Sequence, residues 1–396
     1  MDEKIVLPQG LKAPSDFVGL YKSSARYIFQ VPIDYVDKIE NDVSEVIIIQ
    51  RVISLAQKTN QIEVWWPISI ANRVFNSPTI FPLLAVLLCI DLALHKVVEE
   101  DGKTKEIDVE ESRQRIYKFM PKADLFSDVQ IILCADSRGH GRPQSLYSKT
   151  GSTSIAKDKF ESIVDRLMTS LSTGMPSAKH AIKFSQAMGI IVAELFENTD
   201  LHGRLELNGT PVKKSGLRGL IFKRIEIEKN IPVVPDGIEN ATMENTFRKF
   251  RKQKVGALEI SIFDSGIGFY SSFTKTSLLE STKIEDEWEV MHRCLKRHYD
   301  DISGVKAVSH RGMGLYEVLR ALKFVNGMIE VRSGRVFGFR TFLPGEIEFL
   351  IESSESDSRP GMPKPLLLDG NRRVSRSPTP NEYLNGSSVR VVIPIY

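Results

Sequence analysis

Three short motifs, each at the end of a regular element and always in one order, restrict the fold of this 396-residue chain more than any other feature. The first is Glu194-Leu-Phe-Glu-Asn198-Thr-Asp-Leu-His202-Gly203. Met188, Ile191, Val192 and Leu195 recur at i, i+3, i+4 and i+7, so the segment reads as the last turns of an amphipathic helix. Glu194, Asn198 and His202 recur every four residues and share a second, polar face. Gly203 stands where a left-handed cap usually ends a helix. A carboxylate and a carboxamide one turn apart can hold a water and a hydrated cation, the Glu accepting a proton and the Asn oxygen facing the metal. Read alone, the same stripe is the solvated face of an ordinary helix.

The second motif is Leu258-Glu-Ile-Ser-Ile-Phe263-Asp264-Ser-Gly266-Ile-Gly268. Leu258, Ile260 and Ile262 alternate as in a half-buried strand, which ends in a carboxylate followed by a flexible glycine turn. The third is His310-Arg-Gly312-Met313-Gly314-Leu315, opening a helix from Leu315 to Val325. A glycine loop before a helix offers bare N–H groups and the positive end of a dipole to phosphate. Each glycine pair alone is weak, because such pairs are common in turns.

Taken in order, Glu-x-x-x-Asn on a helix, a strand ending in Asp-x-Gly-x-Gly, and Gly-x-Gly-Leu opening a helix resemble the GHKL ATPase superfamily. That group takes in gyrase-type topoisomerases, heat-shock chaperones, histidine kinases, MutL-like repair proteins and anti-sigma-factor kinases. Two further stretches extend the resemblance over residues 155–396. Asn326-Gly-Met-Ile-Glu-Val-Arg-Ser-Gly334 is similar to the family's strand after the third motif. Gly386-Ser387-Ser-Val-Arg-Val-Val-Ile-Pro394 is similar to its closing strand, with Ser387 where threonine is usual. The resemblance implies an α+β chain whose residues 151–396 form a GHKL (Bergerat) α/β sandwich, a mixed sheet layered with helices. It also implies a mobile ATP lid at 269–311, where a helix is expected around Asp286 to His298. A loop of about forty residues is uncommon unless it is functional.

By the same resemblance Glu194 is the general base, and Asn198 holds the magnesium ion that bridges the phosphates of ATP. Asp264 bonds the adenine amino group and Ser387 supports it through water. Gly266 and Gly268 let the backbone approach base and ribose. Gly312, Met313, Gly314 and Leu315 cover the phosphates. The chemistry is consistent residue by residue, since phosphoryl transfer needs positioning and charge neutralisation more than covalent help.

Residues 1–150 read as a separate α/β unit. Strands are expected at Tyr27 to Val31, Ile62 to Trp66 and Val129 to Cys134. Helices are expected at Asp42 to Gln57, with Val46, Ile49 and Ile53 inward, and from Pro82, where proline suits a first turn. The passage from Ile62 to Leu94 is similar to a STAS-type regulatory domain. Trp65 and Trp66 read as packing residues. The loop Asp136-Ser-Arg-Gly-His140-Gly-Arg142 reads as a turn, and Asp101 to Glu111 as a solvated loop. Further along, helices are expected at about 157–172 and 178–202, a strand from Leu220 to Glu228, and a charged helix from Glu239 to Lys254. The Lys and Arg residues between Lys213 and Lys254 read as a solvated face or as a docking surface for an acidic partner or nucleic acid. Residues 352–383, rich in Ser, Pro and Arg, read as a flexible insertion.

Composition narrows the function classes. A net charge of +3 with 26% charged residues is close to balanced. The pI of 8.5 falls short of a dedicated nucleic-acid binder, and nucleic acid stays open as a partner. Cys89, Cys134 and Cys294 lack metal-ligand spacing and point to reduced thiols in a cytoplasmic protein. The N terminus has no basic stretch followed by an apolar core, so no signal peptide is expected. The apolar run Ile80 to Leu94 contains Pro82 and Asp91 and is short for a membrane span.

Histidine kinases usually carry Asn where Glu194 stands, and no upstream helix here offers a phosphoacceptor His. The pattern ending in His202-Gly203 is most similar to the anti-sigma-factor serine kinases. Three functions stay open. One is an ATP-hydrolysing switch that controls a protein partner through the N-terminal unit, with a homodimer among the arrangements. The others are a Ser/Thr protein kinase and an ATP-dependent interaction module that does not hydrolyse.

Overall fold

The computed structural model describes residues 2–7, 26–35, 45–59, 61–120, 128–138, 141–148, 154–170, 178–225, 256–295, 314–342, 367–369 and 378–395. In chain order the strands are β1 Asp2–Val6, β2 Arg26–Gln30, β3 Ile62–Pro67, β4 Leu94–Val98, β5 Thr104–Glu106, β6 Val129–Ala135, β7 Leu217–Ile225, β8 Gly256–Asp264, β9 Met328–Gly334, β10 Val336–Thr341, β11 Leu368–Asp369 and β12 Leu384–Ile395. The helices are α1 Glu45–Lys58, α2 Ile68–Asn76, α3 Pro82–Cys89, α4 Glu110–Tyr117, α5 Lys157–Ser170, α6 Ala178–Asn198, α7 Gly268–Thr274, α8 Ile284–Cys294 and α9 Gly314–Phe324. The fold is mixed α and β, two sheets layered with helices.

The five-stranded sheet has the order β1-β2-β3-β4-β5. Its first four strands are parallel, and β5 closes the edge as an antiparallel hairpin within the stretch expected to be a solvated loop. The seven-stranded sheet has the order β11-β10-β9-β12-β8-β7-β6. A mixed sheet was the expectation for this part; every pairing within it is antiparallel. The reason is the last strand. β8 and β9 run the same way, joined across the helices between them, and β12 inserts between the two and opposes both.

Val129 to Cys134 was read with residues 1–150, yet β6 pairs with β7 over its whole length and forms the edge of the seven-stranded sheet. Its composition accounts for this. Ile131, Leu133 and Ala135 face one hydrophobic core, and Ile132 and Cys134 face the other, so both faces are apolar. The first core lies between the two sheets and holds α1 and α3, with Val46, Ile49 and Ile53 of α1 buried in it. The second lies on the far face of the seven-stranded sheet, where α5, α6 and α9 pack. The molecule is therefore stacked as sheet, helices, sheet, helices. Pro82 does open α3, which is only eight residues long and ends before Ile90.

Two regions expected to be loose are partly built into the body. Within 269–311, α7 and α8 are helices, and Glu287, Trp288 and Met291 of α8 are buried, Glu287 being bonded to Arg335 beyond β9. Amphipathic spacing in α8 supplies that apolar face. Within 352–383, Leu368 and Asp369 pair with β10, and buried Glu382 bonds Arg51 and Arg332. Residues 296–311, 352–366 and 370–377, the expected helix 239–254 and His140 lie outside the described residues. Among the described residues no helix is long and apolar enough to cross a membrane.

Candidate functional site

The C-terminal end of α6 is where the site begins. Helical order continues past Asn198 as a π turn, Thr199–Gly203. Such wide turns are uncommon and recur at functional sites. The turn carries Gly203 onto β8. A side-chain carbon on Gly203 would lie 2.4 Å from both Cβ and Cγ of Asp264, so only glycine allows this approach.

Asp264 ends β8 and is buried, 3% exposed. Its Oδ1 accepts from the Gly266 N–H at 3.0 Å, and its Oδ2 accepts directly from the Ser387 hydroxyl. Support from Ser387 was expected through water; the contact is direct, because β12 pairs with β8 with Ser387 opposite Asp264. Gly386 adopts φ of +76°, and a carbon there would meet the Asp264 carbonyl oxygen at 2.0 Å. Burial raises the Asp264 carboxyl above its ordinary range, opposed by the Ser387 and Gly266 bonds and the nearby Arg218 guanidinium. A carboxylate has about four lone-pair sites, so the bonds from Gly266 and from the hydroxyl and backbone of Ser387 leave an acceptor for a ligand.

Arg218 was not singled out from sequence. It pairs with Asp264 across β7 and β8 and is fully buried. Its guanidinium bonds Asp136 at 2.9 Å, Asp200 at 3.2 Å and the Tyr147 hydroxyl at 2.6 Å, and lies over the Phe196 ring. The loop after β6, read as a bare turn, thus supplies Asp136 to this cluster. No local pattern marked it: Arg218 stands before the alternating run that begins at Leu220.

At the other end, Gly314 opens α9 beside the last turns of α6. A carbon on Gly314 would lie 2.8 Å from Glu194 Oε2 and 3.2 Å from Asn198 Nδ2. The Asn198 amide donates to the Glu194 carbonyl at 2.9 Å, which leaves its oxygen for a ligand. Gly312 and Met313 lie outside the described residues.

Between these two ends is a cavity of about 670 Å³. Asn198, Gly203, Asp264, Gly268, Gly314, Leu315 and Ser387 all line it. Leu195, Ile262, Val389, Phe269 and Phe273 give it apolar walls; His202, Lys275 and Arg293 add polar groups. Cys294 also lines it, its thiol pushed up to about 12 by burial. Gly266 does not line the cavity; its N–H bonds Asp264, and a carbon on it would meet the Gly203 carbonyl oxygen at 2.6 Å. Glu194 does not line it: one carboxylate oxygen sits behind Gly314, and the other accepts from Lys157 at 2.6 Å.

The arrangement can take a flat polar ring against Asp264 and an anionic group near the start of α9. Among the described residues no three His, Cys, Asp or Glu side chains gather as a metal cage. Beside the start of α9 the Asn198 oxygen is a donor suited to a cation, and it would fit magnesium held largely by water and phosphate. No protein-family model, curated protein or solved structure matches the chain.

Proposed function

We propose that this chain binds ATP with magnesium in the cavity between α6, β8 and α9, in the manner of GHKL ATPases, and hydrolyses it as a conformational switch for a protein partner. One observation carries the reading. Asn198, Asp264, Gly314 and Ser387 come from four motifs spread over 190 residues of sequence, and all line one cavity of about 670 Å³. That volume is in the range of small-molecule sites. Asp264 would accept from the adenine amino group, and the N–H groups at the start of α9 would face the phosphates. Magnesium held through Asn198 would neutralise phosphate charge. Glu194 would accept the proton of the attacking water.

Calorimetric titration with ATP and magnesium, followed by phosphate release, tests this. The wild-type chain should bind ATP, and Asp264→Asn should bind it about tenfold more weakly, the loss of one charge-assisted bond. Glu194→Ala should keep the affinity and lose about 10²–10⁴-fold in turnover. No heat and no thermal shift at millimolar nucleotide would sink the reading. A second reading, binding without hydrolysis, is favoured by the absence of Glu194 from the cavity lining. Full binding with no phosphate release would establish it.

A further inference from the structure

The ion pair on Glu194 has a chemistry of its own. Lys157, in the first turn of α5, places its ammonium 2.6 Å from Glu194 Oε1 and 2.8 Å from Glu197 Oε2. Both helices carry these charges where their dipoles disfavour them. A cation sits at the positive start of α5, and two carboxylates sit in the last turns of α6. Neither helix gains from its own charge, so the gain lies in the pairing. The pair is also directional. Glu194 is the more buried carboxylate, at 15% side-chain exposure against 43% for Glu197. With Oε1 held, Oε2 is left against Gly314, beside Asn198, at the opening of α9.

We propose that Lys157 is the positioning residue for Glu194: by holding Oε1 it sets the carboxylate's orientation so that Oε2 meets the water attacking a nucleoside triphosphate. This rests on the hydrolytic reading above. In the step served, the water proton passes to Oε2 as the water oxygen bonds the terminal phosphorus. The bond from that phosphorus to the bridging oxygen breaks, and its electron pair leaves with the nucleoside diphosphate. Lys157 touches none of the reacting atoms. A carboxylate displaced by an ångström loses most of the benefit of preorganisation.

The test uses the full chain with ATP, ADP and magnesium. Lys157→Met keeps much of the aliphatic stem and removes the charge. It should bind ATP and ADP within about twofold of wild type while kcat falls about 10- to 100-fold. Lys157→Arg, which keeps the cation, should recover most of that loss. Glu197→Gln should leave kcat within about twofold, because the ammonium still has Glu194. Two results overturn the proposal. One is a Lys157→Met protein with wild-type kcat. The other is a Lys157→Met protein that loses affinity for ATP but not for ADP, which would put the ammonium on the terminal phosphate. A wild-type chain that binds ATP and releases no phosphate sinks the hydrolytic reading, and this proposal with it. A wild-type chain with turnover that Lys157→Met leaves untouched sinks this proposal alone.

Discussion

Gly203 shows how one residue sets the geometry of the cavity. It closes the π turn after α6 with its Cα pressed on the Asp264 side chain. Any side chain must push that carboxylate away from Ser387 or push α6 away from β8. Gly203→Ala should therefore cost about 1–3 kcal/mol through overpacking and lower ATP affinity by an order of magnitude or more. Urea unfolding gives the first quantity and nucleotide titration the second. Wild-type affinity in this variant would mean that Asp264 is not where the ligand binds. Gly203 was legible in the sequence as a helix stop. Its contact with Asp264, sixty-one positions on, was not, because a cap is a local property and a packing contact is not.

At the level of elements, α1 is informative. Its apolar stripe of Val46, Ile49 and Ile53 is plain from spacing alone. The adjoining stripe, polar in sequence, carries buried residues as well, Gln50, Arg51 and Ser54. Gln50 accepts from Ser388, Arg51 pairs with Glu382 at 2.6 Å, and Ser54 accepts from the Asn385 N–H. Gln57 donates to the Ser265 carbonyl at 2.9 Å, directly behind Asp264. Beneath this helix Arg390 of β12 bonds Glu259 of β8 at 2.8 Å and Glu330 of β9 at 3.0 Å. Burial works against both carboxylates. Arg390 holds Glu259 below its ordinary range, whereas Glu330 stays above it. Arg390→Met should destabilise the chain by about 3–5 kcal/mol, because it strands two buried carboxylates side by side. Adding Glu259→Gln and Glu330→Leu to that variant should restore most of the loss. Chemical denaturation of the single and triple variants decides it; a single variant as stable as wild type would show that the cluster is solvated in solution.

For the molecule as a whole, the stacking makes the N-terminal half a cover for the C-terminal sheet. β6 is the sheet's edge, and α1 and α3 shield the face carrying Leu217, Ile221 and Phe263. A fragment of residues 151–396 lacks both. It should fail to reach a cooperative fold, exposing the β7 edge and a broad apolar face. Circular dichroism with thermal melting checks this. A fragment that melts cooperatively and binds ATP like the full chain would show that the shared core is dispensable.

The sequence by itself determined the elements whose periodicity is strong and local. The helix ending at Gly203, the strand running into Asp264 and the helix after Gly314 all formed where spacing and glycine punctuation put them, and a strand at Ser387 formed where the family resemblance implied one. Amphipathic spacing marks them because one face of each is buried, whatever the partner. Only the tertiary structure decided the partners. It inserted β12 between β8 and β9, assigned β6 to the second sheet and buried the polar side of α1. It also brought Lys157 to Glu194 and Arg218 alongside Asp264. Those outcomes depend on which surfaces meet across long stretches of chain, and no local pattern of residue types encodes that choice.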